Sequence, residues 1–210
     1  MKPSATCLLL WGLLHASNGC AGNLVVAVHT SNGRPLAGAV VTLQSLTANN
    51  HPGVPVKAVM DQINRTFVPD LLVIPVGSTV AFPNSDSVSH QIYSFSPAHR
   101  FQLPLYRGKP YPPVDFNEPG IVTLGCNIHD SMLAYVLVTA APYFGRTDAA
   151  GSWSVELPHG TYQVTVWQPR MQESSQETVT VAADRADLTF RLTKALKPAR
   201  LESRHSWDTY

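Results

Sequence analysis

Short runs in which apolar and polar residues alternate, each closed off by Gly, Pro, Asn or Asp, recur along the whole chain, and 17 prolines would break most candidate helices. An alternation of period two places every second side chain on one face of a strand. Leu24, Val26 and Val28 therefore mark a strand with one buried face, as do Trp153, Val155 and Leu157, then Tyr162, Val164 and Val166, then Leu188, Phe190 and Leu192. The spacing predicts an all-β protein.

At 210 residues with 44% apolar content, the chain can bury a real core without a metal or a disulfide to rescue folding. Basic and acidic residues number 15 and 14, a balance that argues against a nucleic-acid surface. Met1-Lys2, the apolar run Ala5 to Leu14 and the small residues around Gly19-Cys20-Ala21 have the three parts of a secretory signal over residues 1–21, with cleavage expected after Ala21. The expectation is export to a periplasm. A lipid anchor at Cys20 is the lesser alternative, because Ser17-Asn18-Gly19-Cys20 lacks an apolar residue three positions before the cysteine. No later stretch approaches eighteen consecutive apolar residues, so no transmembrane segment is expected.

If the leader removes Cys7 and Cys20, one cysteine, Cys126, remains in a compartment that oxidises thiols. Metal ligation gives such a thiol a reason to persist, since a metal both deprotonates and protects it. Cys126, His129 and Met132 follow one another at intervals of three in a single loop, and His90 lies 36 residues before Cys126 on a separate apolar strand. One thiolate, two neutral imidazoles and a weak thioether form a ligand set that holds copper for single-electron transfer. Three other readings stay open on the residues alone: Cys126 and His129 as a nucleophile and its base, a zinc site, which seldom recruits a thioether, and Cys126 with Met132 as plain core filler.

Between these landmarks, Val54 to Met60, Leu71 to Pro75, Thr79 to Phe82, His90 to Tyr93, Ile121 to Leu124 and Leu133 to Thr139 read as strands. Pro104 to Pro113, with four prolines and with Tyr106, Arg107, Lys109 and Tyr111 between them, reads as an irregular surface flap and a candidate partner surface. The segment 193–210 is polar and reads as a flexible tail. His29, His51, His99, His159 and His205 read as surface or turn residues, Met60 as core and Asp130 as a solvated acid. Asn64-Arg65-Thr66 matches an N-glycosylation acceptor.

On these residues, 54–140 resembles the cupredoxins, the family of plastocyanin and amicyanin, and especially exported proteins labelled as methylamine utilisation proteins, although nothing in the sequence recognises an amine. In that family a Phe-x-Asn turn precedes the first histidine, here Phe82-Pro83-Asn84 followed by His90, and the remaining ligands lie between the last two strands at the short Cys-x2-His-x2-Met spacing. The resemblance implies a Greek-key β-sandwich with His90, Cys126, His129 and Met132 as ligands of one type 1 (blue) copper per chain, cycling between Cu(I) and Cu(II). It also implies Asn84 and Gln91 as supporting residues outside the ligand set. Gln91 stands where the family commonly has Asn, Gly125 where it often has an aromatic residue, and Ile128 where it often has proline.

Residues 23–50 resemble the opening strands of a carboxypeptidase regulatory-like, or transthyretin-like, sandwich, whose continuation returns only at 141–192 with Arg146 to Trp153 and Leu157 to Tyr162. The cupredoxin segment is therefore expected to be inserted into, or packed beside, that small sandwich, since insertion at a loop tip is tolerated. The resemblance implies a monomeric electron carrier, not an enzyme, that exchanges electrons with a dehydrogenase or cytochrome. A periplasmic copper carrier or storage module, or a structural metal-binding adhesion domain, is the alternative. A sandwich that binds carbohydrate or peptide is a third reading, against which Tyr143, Phe144, Trp153, Tyr162 and Trp167 mostly fit a core pattern.

Overall fold

The computed structural model describes residues 21–108 and 110–198. The leader with Cys7 and Cys20, Lys109, His205 and the tail from 199 onwards lie outside the described residues. Among the described residues there is no helix, and hence none long and apolar enough to cross a membrane. The protein is all-β, as the alternation predicts.

The strands in chain order are β1 (Ala21–His29), β2 (Val40–Ser45), β3 (Lys57–Val59), β4 (Asp61–Ile63), β5 (Thr66–Val68) and β6 (Leu71–Pro75). They continue with β7 (Ser78–Ala81), β8 (His90–Ser96), β9 (His99–Tyr106), β10 (Val114–Phe116), β11 (Gly120–Gly125) and β12 (Leu133–Thr139). The chain closes with β13 (Tyr143–Arg146), β14 (Ser152–Pro158), β15 (Gly160–Trp167), β16 (Ser175–Val181) and β17 (Arg185–Arg191).

Two cores organise these strands. In the first, the sheet β14-β1-β17 faces the sheet β13-β2-β15-β16 across Leu24, Val26, Val28, Leu43, Val164 and Phe190. Strand β1 buries every second residue, which is the alternation read from its sequence. In the second, the five-stranded sheet β6-β12-β11-β8-β9 shares an apolar cluster with the sheet β10-β7-β3 and the hairpin β4-β5; Phe67, Phe82, Ile92, Phe116, Leu124 and Val136 are among its members. Each fully buried side chain of this size contributes about 1.5–3 kcal/mol relative to an exposed position.

The chain leaves the first core after β2 and re-enters it at β13, and those two strands pair, Leu43 opposite Tyr143 and Val40 opposite Arg146. Thr147, buried, ties the returning chain to the departing one: its hydroxyl donates to the Leu36 carbonyl at 2.6 Å and accepts from the Ala39 amide at 2.9 Å. A third small cluster of Val40, Leu71 and Leu137, with Tyr135 edge-on to Trp167, joins the outer face of the five-stranded sheet to β2 and β15.

Several elements differ from the sequence reading. The strand expected over Val54 to Met60 is confined to β3, because Pro55 has no N–H to offer a ladder. The flap expected from Pro104 is strand up to Tyr106, and Tyr106 is buried against Gln62, so it is not part of a partner surface. His99 is half-buried, its ring between those of Phe101 and Phe116.

The hairpin β4-β5 was not visible as such. Its two-residue turn, Asn64-Arg65, has φ of 52° and 58°, the doubly left-handed geometry of a type I′ turn. Glycine adopts this conformation at the second turn position without the penalty that Arg65 carries. Arg65→Gly is expected to raise the urea unfolding midpoint, reflecting a gain in stability on the order of 0.5 kcal/mol once the freedom gained by the unfolded chain is subtracted; an unchanged or lower midpoint would contradict the strain assigned to Arg65.

Candidate metal centre

Strands β8, β11 and β12 bring the candidate ligands to one end of the second core. His90 opens β8 and is wholly buried. Cys126 follows directly on β11, and the loop 126–132 returns into β12. A turn closed by the Met132 amide on the His129 carbonyl at 2.9 Å folds that loop back on itself. Because β11 and β12 stay paired up to Gly125 opposite Leu133, the loop between them has little freedom to splay.

His90 Nδ1 and His129 Nδ1 lie 3.1 Å apart, and Cys126 Sγ is 3.9 Å from each. A triangle with sides of 3.1, 3.9 and 3.9 Å has a point about 2.1 Å from all three corners, a distance at which a first-row metal binds imidazole nitrogen and only slightly under its distance to sulfur. The donor set and its dimensions therefore fit a metal ion. Cys126 is 3% exposed and Met132 2%, both within the apolar cluster of the second core, whereas His129 is half-buried.

The protonation state of the donors favours binding. Burial, then the neighbouring His90 and Arg65, lower the His129 pKa against the opposing pull of Asp86, so a lone pair is free on its ring near neutral pH. For His90 the tautomer is set by its partner: Nε2 is 2.9 Å from Asp86 Oδ2, and an ionised carboxylate can only accept. Nε2 thus carries the proton and Nδ1 presents its lone pair towards Cys126 and His129. Burial alone would raise the Asp86 carboxyl, but hydrogen bonds from His90 and from the amides of Arg65 and Ser87 outweigh it and hold the group at about 2.

Asn84 acts on the loop before His90 rather than on the ligands. Its side chain donates to the carbonyls of Val88 at 3.0 Å and Tyr106 at 2.9 Å, and accepts from the Asp86 amide at 3.0 Å. Gln91 faces away from His90 in the pleat, is half-buried, and its side chain makes no hydrogen bond among the described residues. Gly125 matters for what covers it. The Tyr93 ring of β8 lies so close that a Cβ at Gly125 would be 2.7 Å from Tyr93 Cζ. Gly125 is thus covered by an aromatic ring from the adjacent strand. Asp86 is the residue that sequence reasoning missed, and its position four residues before His90 in an irregular loop gave no periodic signal.

Behind the loop runs a buried polar chain: Gln62 donates to the Pro83 carbonyl at 3.0 Å and to Tyr106 Oη at 2.5 Å, and Tyr106 donates in turn to the Phe82 carbonyl at 2.6 Å. Burial pushes the Tyr106 phenol up to about 12. An unfolded tyrosine ionises near 10, so this folded-state advantage is intact below pH 10 and is lost as pH rises from about 10 to about 12. The melting temperature is expected to fall across that window, and to fall less for Tyr106→Phe than for the parent; equal slopes in the two proteins would show that Tyr106 stays out of the alkaline transition.

No protein-family model matches the chain, and neither does any curated protein. Among solved structures, a purple cupredoxin from Nitrosopumilus maritimus is similar at 27% identity, over 39% of this chain and 99% of that one, with a TM-score of 0.35. A reduced Cu(I) form of an amicyanin variant is similar at 20% identity, over 47% of this chain and 98% of that one, with a TM-score of 0.36. A copper-containing nitrite reductase from Thermus scotoductus SA-01 is similar at 23% identity over 53% of this chain, with a TM-score of 0.37, and the match spans only 28% of the reductase.

Proposed function

We propose that this chain is an exported type 1 copper protein that passes single electrons between larger redox proteins, with His90, Cys126, His129 and Met132 as the ligands of one ion. The observation that carries the reading is the triangle of Cys126 Sγ, His90 Nδ1 and His129 Nδ1 inside an apolar core. Copper held by these donors would supply reversible one-electron chemistry between Cu(I) and Cu(II). The two imidazoles contribute neutral nitrogen and Cys126 a thiolate. Met132, buried in the cluster that contains Cys126, offers the weak thioether that a structural zinc site seldom uses.

The rest of the chain's part is mechanical. Three paired strands and a packed core keep the donors in one arrangement, which suits an ion that changes charge without changing its surroundings. Of the four candidate ligands His90, Cys126 and Met132 are buried and His129 is half-buried, beside the exposed Asn127 and Ile128. A partner such as a dehydrogenase or cytochrome docks at that end, and the chain acts as a monomer without substrate chemistry of its own. Residues 54–140 form the copper unit, inserted in a transthyretin-like sandwich of 23–50 and 141–192. The pairing of β2 with β13, which brings the ends of the insertion together, supports this division. The leader over 1–21 delivers the protein to the periplasm.

Titration of the purified mature protein with Cu(II), run beside Cys126→Ser and Met132→Ala, tests this. A strong visible thiolate-to-copper band saturating at one ion per chain is expected, absent in Cys126→Ser and shifted in Met132→Ala. No band in the parent protein, or zinc held in preference to copper, would sink the electron-transfer reading.

A further inference from the structure

We propose that Asp86 is a positioning residue of the metal centre: its carboxylate fixes the tautomer and ring orientation of His90, and the β4-β5 turn fixes the carboxylate. The inference rests on the reading of His90 as a ligand.

Asp86 Oδ2 accepts from His90 Nε2 at 2.9 Å and from the Arg65 amide at 2.6 Å, while Oδ1 accepts from the Ser87 amide at 2.7 Å. Its side chain is 8% exposed and that of His90 is fully buried, so water cannot substitute freely for the carboxylate. Without an acceptor at Nε2, a neutral imidazole can place its proton on either nitrogen. A proton on Nδ1 would point at Cys126 Sγ and His129 Nδ1 and occupy the lone pair a metal needs. A carboxylate behind a ligating imidazole removes that choice and strengthens the imidazole as a donor.

The carboxylate is held from the hairpin β4-β5, which supplies none of the candidate ligands. The left-handed conformation of Arg65 turns its amide towards Asp86. Asp61, at the start of the same hairpin, accepts from the Ser85 amide at 3.1 Å and the Ser85 hydroxyl at 2.7 Å. Asn84 closes the loop from the inside through the Val88 and Tyr106 carbonyls. The hairpin β4-β5 thus clamps residues 84–88 at two points, and Asp86 transmits that restraint to His90.

The test compares the full-length mature parent with Asp86→Ala and Asp86→Asn in two measurements. Long-range ¹H–¹⁵N correlation on the metal-free proteins reports the His90 tautomer, and competition with a chelator reports Cu(I) affinity. The parent is expected to hold His90 solely as the Nε2–H tautomer. Asp86→Ala is expected to mix the tautomers and weaken Cu(I) binding about 10–100-fold, with Asp86→Asn, which keeps an acceptor oxygen in the same place, between the two. Should Asp86→Ala fail to fold, the near-isosteric Asn variant carries the comparison. A parent that binds no copper overturns the metal-centre reading and this inference with it. A parent that binds, with variants that match it in tautomer and affinity, overturns the role of Asp86 alone, as does a loss of affinity with the tautomer unchanged.

Discussion

Three donor atoms from two parts of the chain are held within 4 Å of one another, close enough to hydrogen-bond among themselves, in a region from which most water is excluded. Polar groups taken out of water cost free energy unless they find such partners. The surrounding structure makes the arrangement stable. Paired strands bring Cys126 and His129 from one side, β8 brings His90 from the other, and the outer nitrogen of His90 finds a carboxylate instead of water. The apolar cluster of the second core is the frame for that convergence, and the polar chain of Gln62, Tyr106 and Asn84 is what lets irregular backbone pass beside it without orphaned carbonyls.

The parts of this arrangement that could be read from sequence are those governed by short spacing. Cys126, His129 and Met132 share one loop, so their interval alone places them together, and the alternation of β1, β14, β15 and β17 announces its own buried face. His90 required more, namely the Phe82-Pro83-Asn84 turn as the marker of a ligand-bearing strand. Asp86 could not be found in this way. Its relation to His90 is not helical, and the shape of its loop depends on the Tyr106 carbonyl, 22 residues from Asn84, and on the Arg65 amide, 21 residues from Asp86. The hairpin β4-β5 escaped for a related reason: Asn64-Arg65 lacks the glycine that usually signals a two-residue turn. Prolines misled at 104–113, since Pro104 is accommodated in β9, which lies at the edge of its sheet.

Support for the candidate ligands is distributed unevenly. His129 belongs to a loop whose neighbours are exposed, and its ring is partly open. His90 is fully enclosed and backed by Asp86, which is itself held by the amides of Arg65 and Ser87. One imidazole is therefore held on every side and the other is partly open to solvent.

The pairing of Leu43 with Tyr143 also bears on how the chain reaches this state. Two residues separated by 100 positions must meet before β2 and β13 can form their ladder, and an unstructured loop of that length resists closure through its entropy. A loop that has already condensed around its own core is a short, stiff connector instead. The first sandwich therefore has a topological interest in the second one forming early, whatever that second core binds.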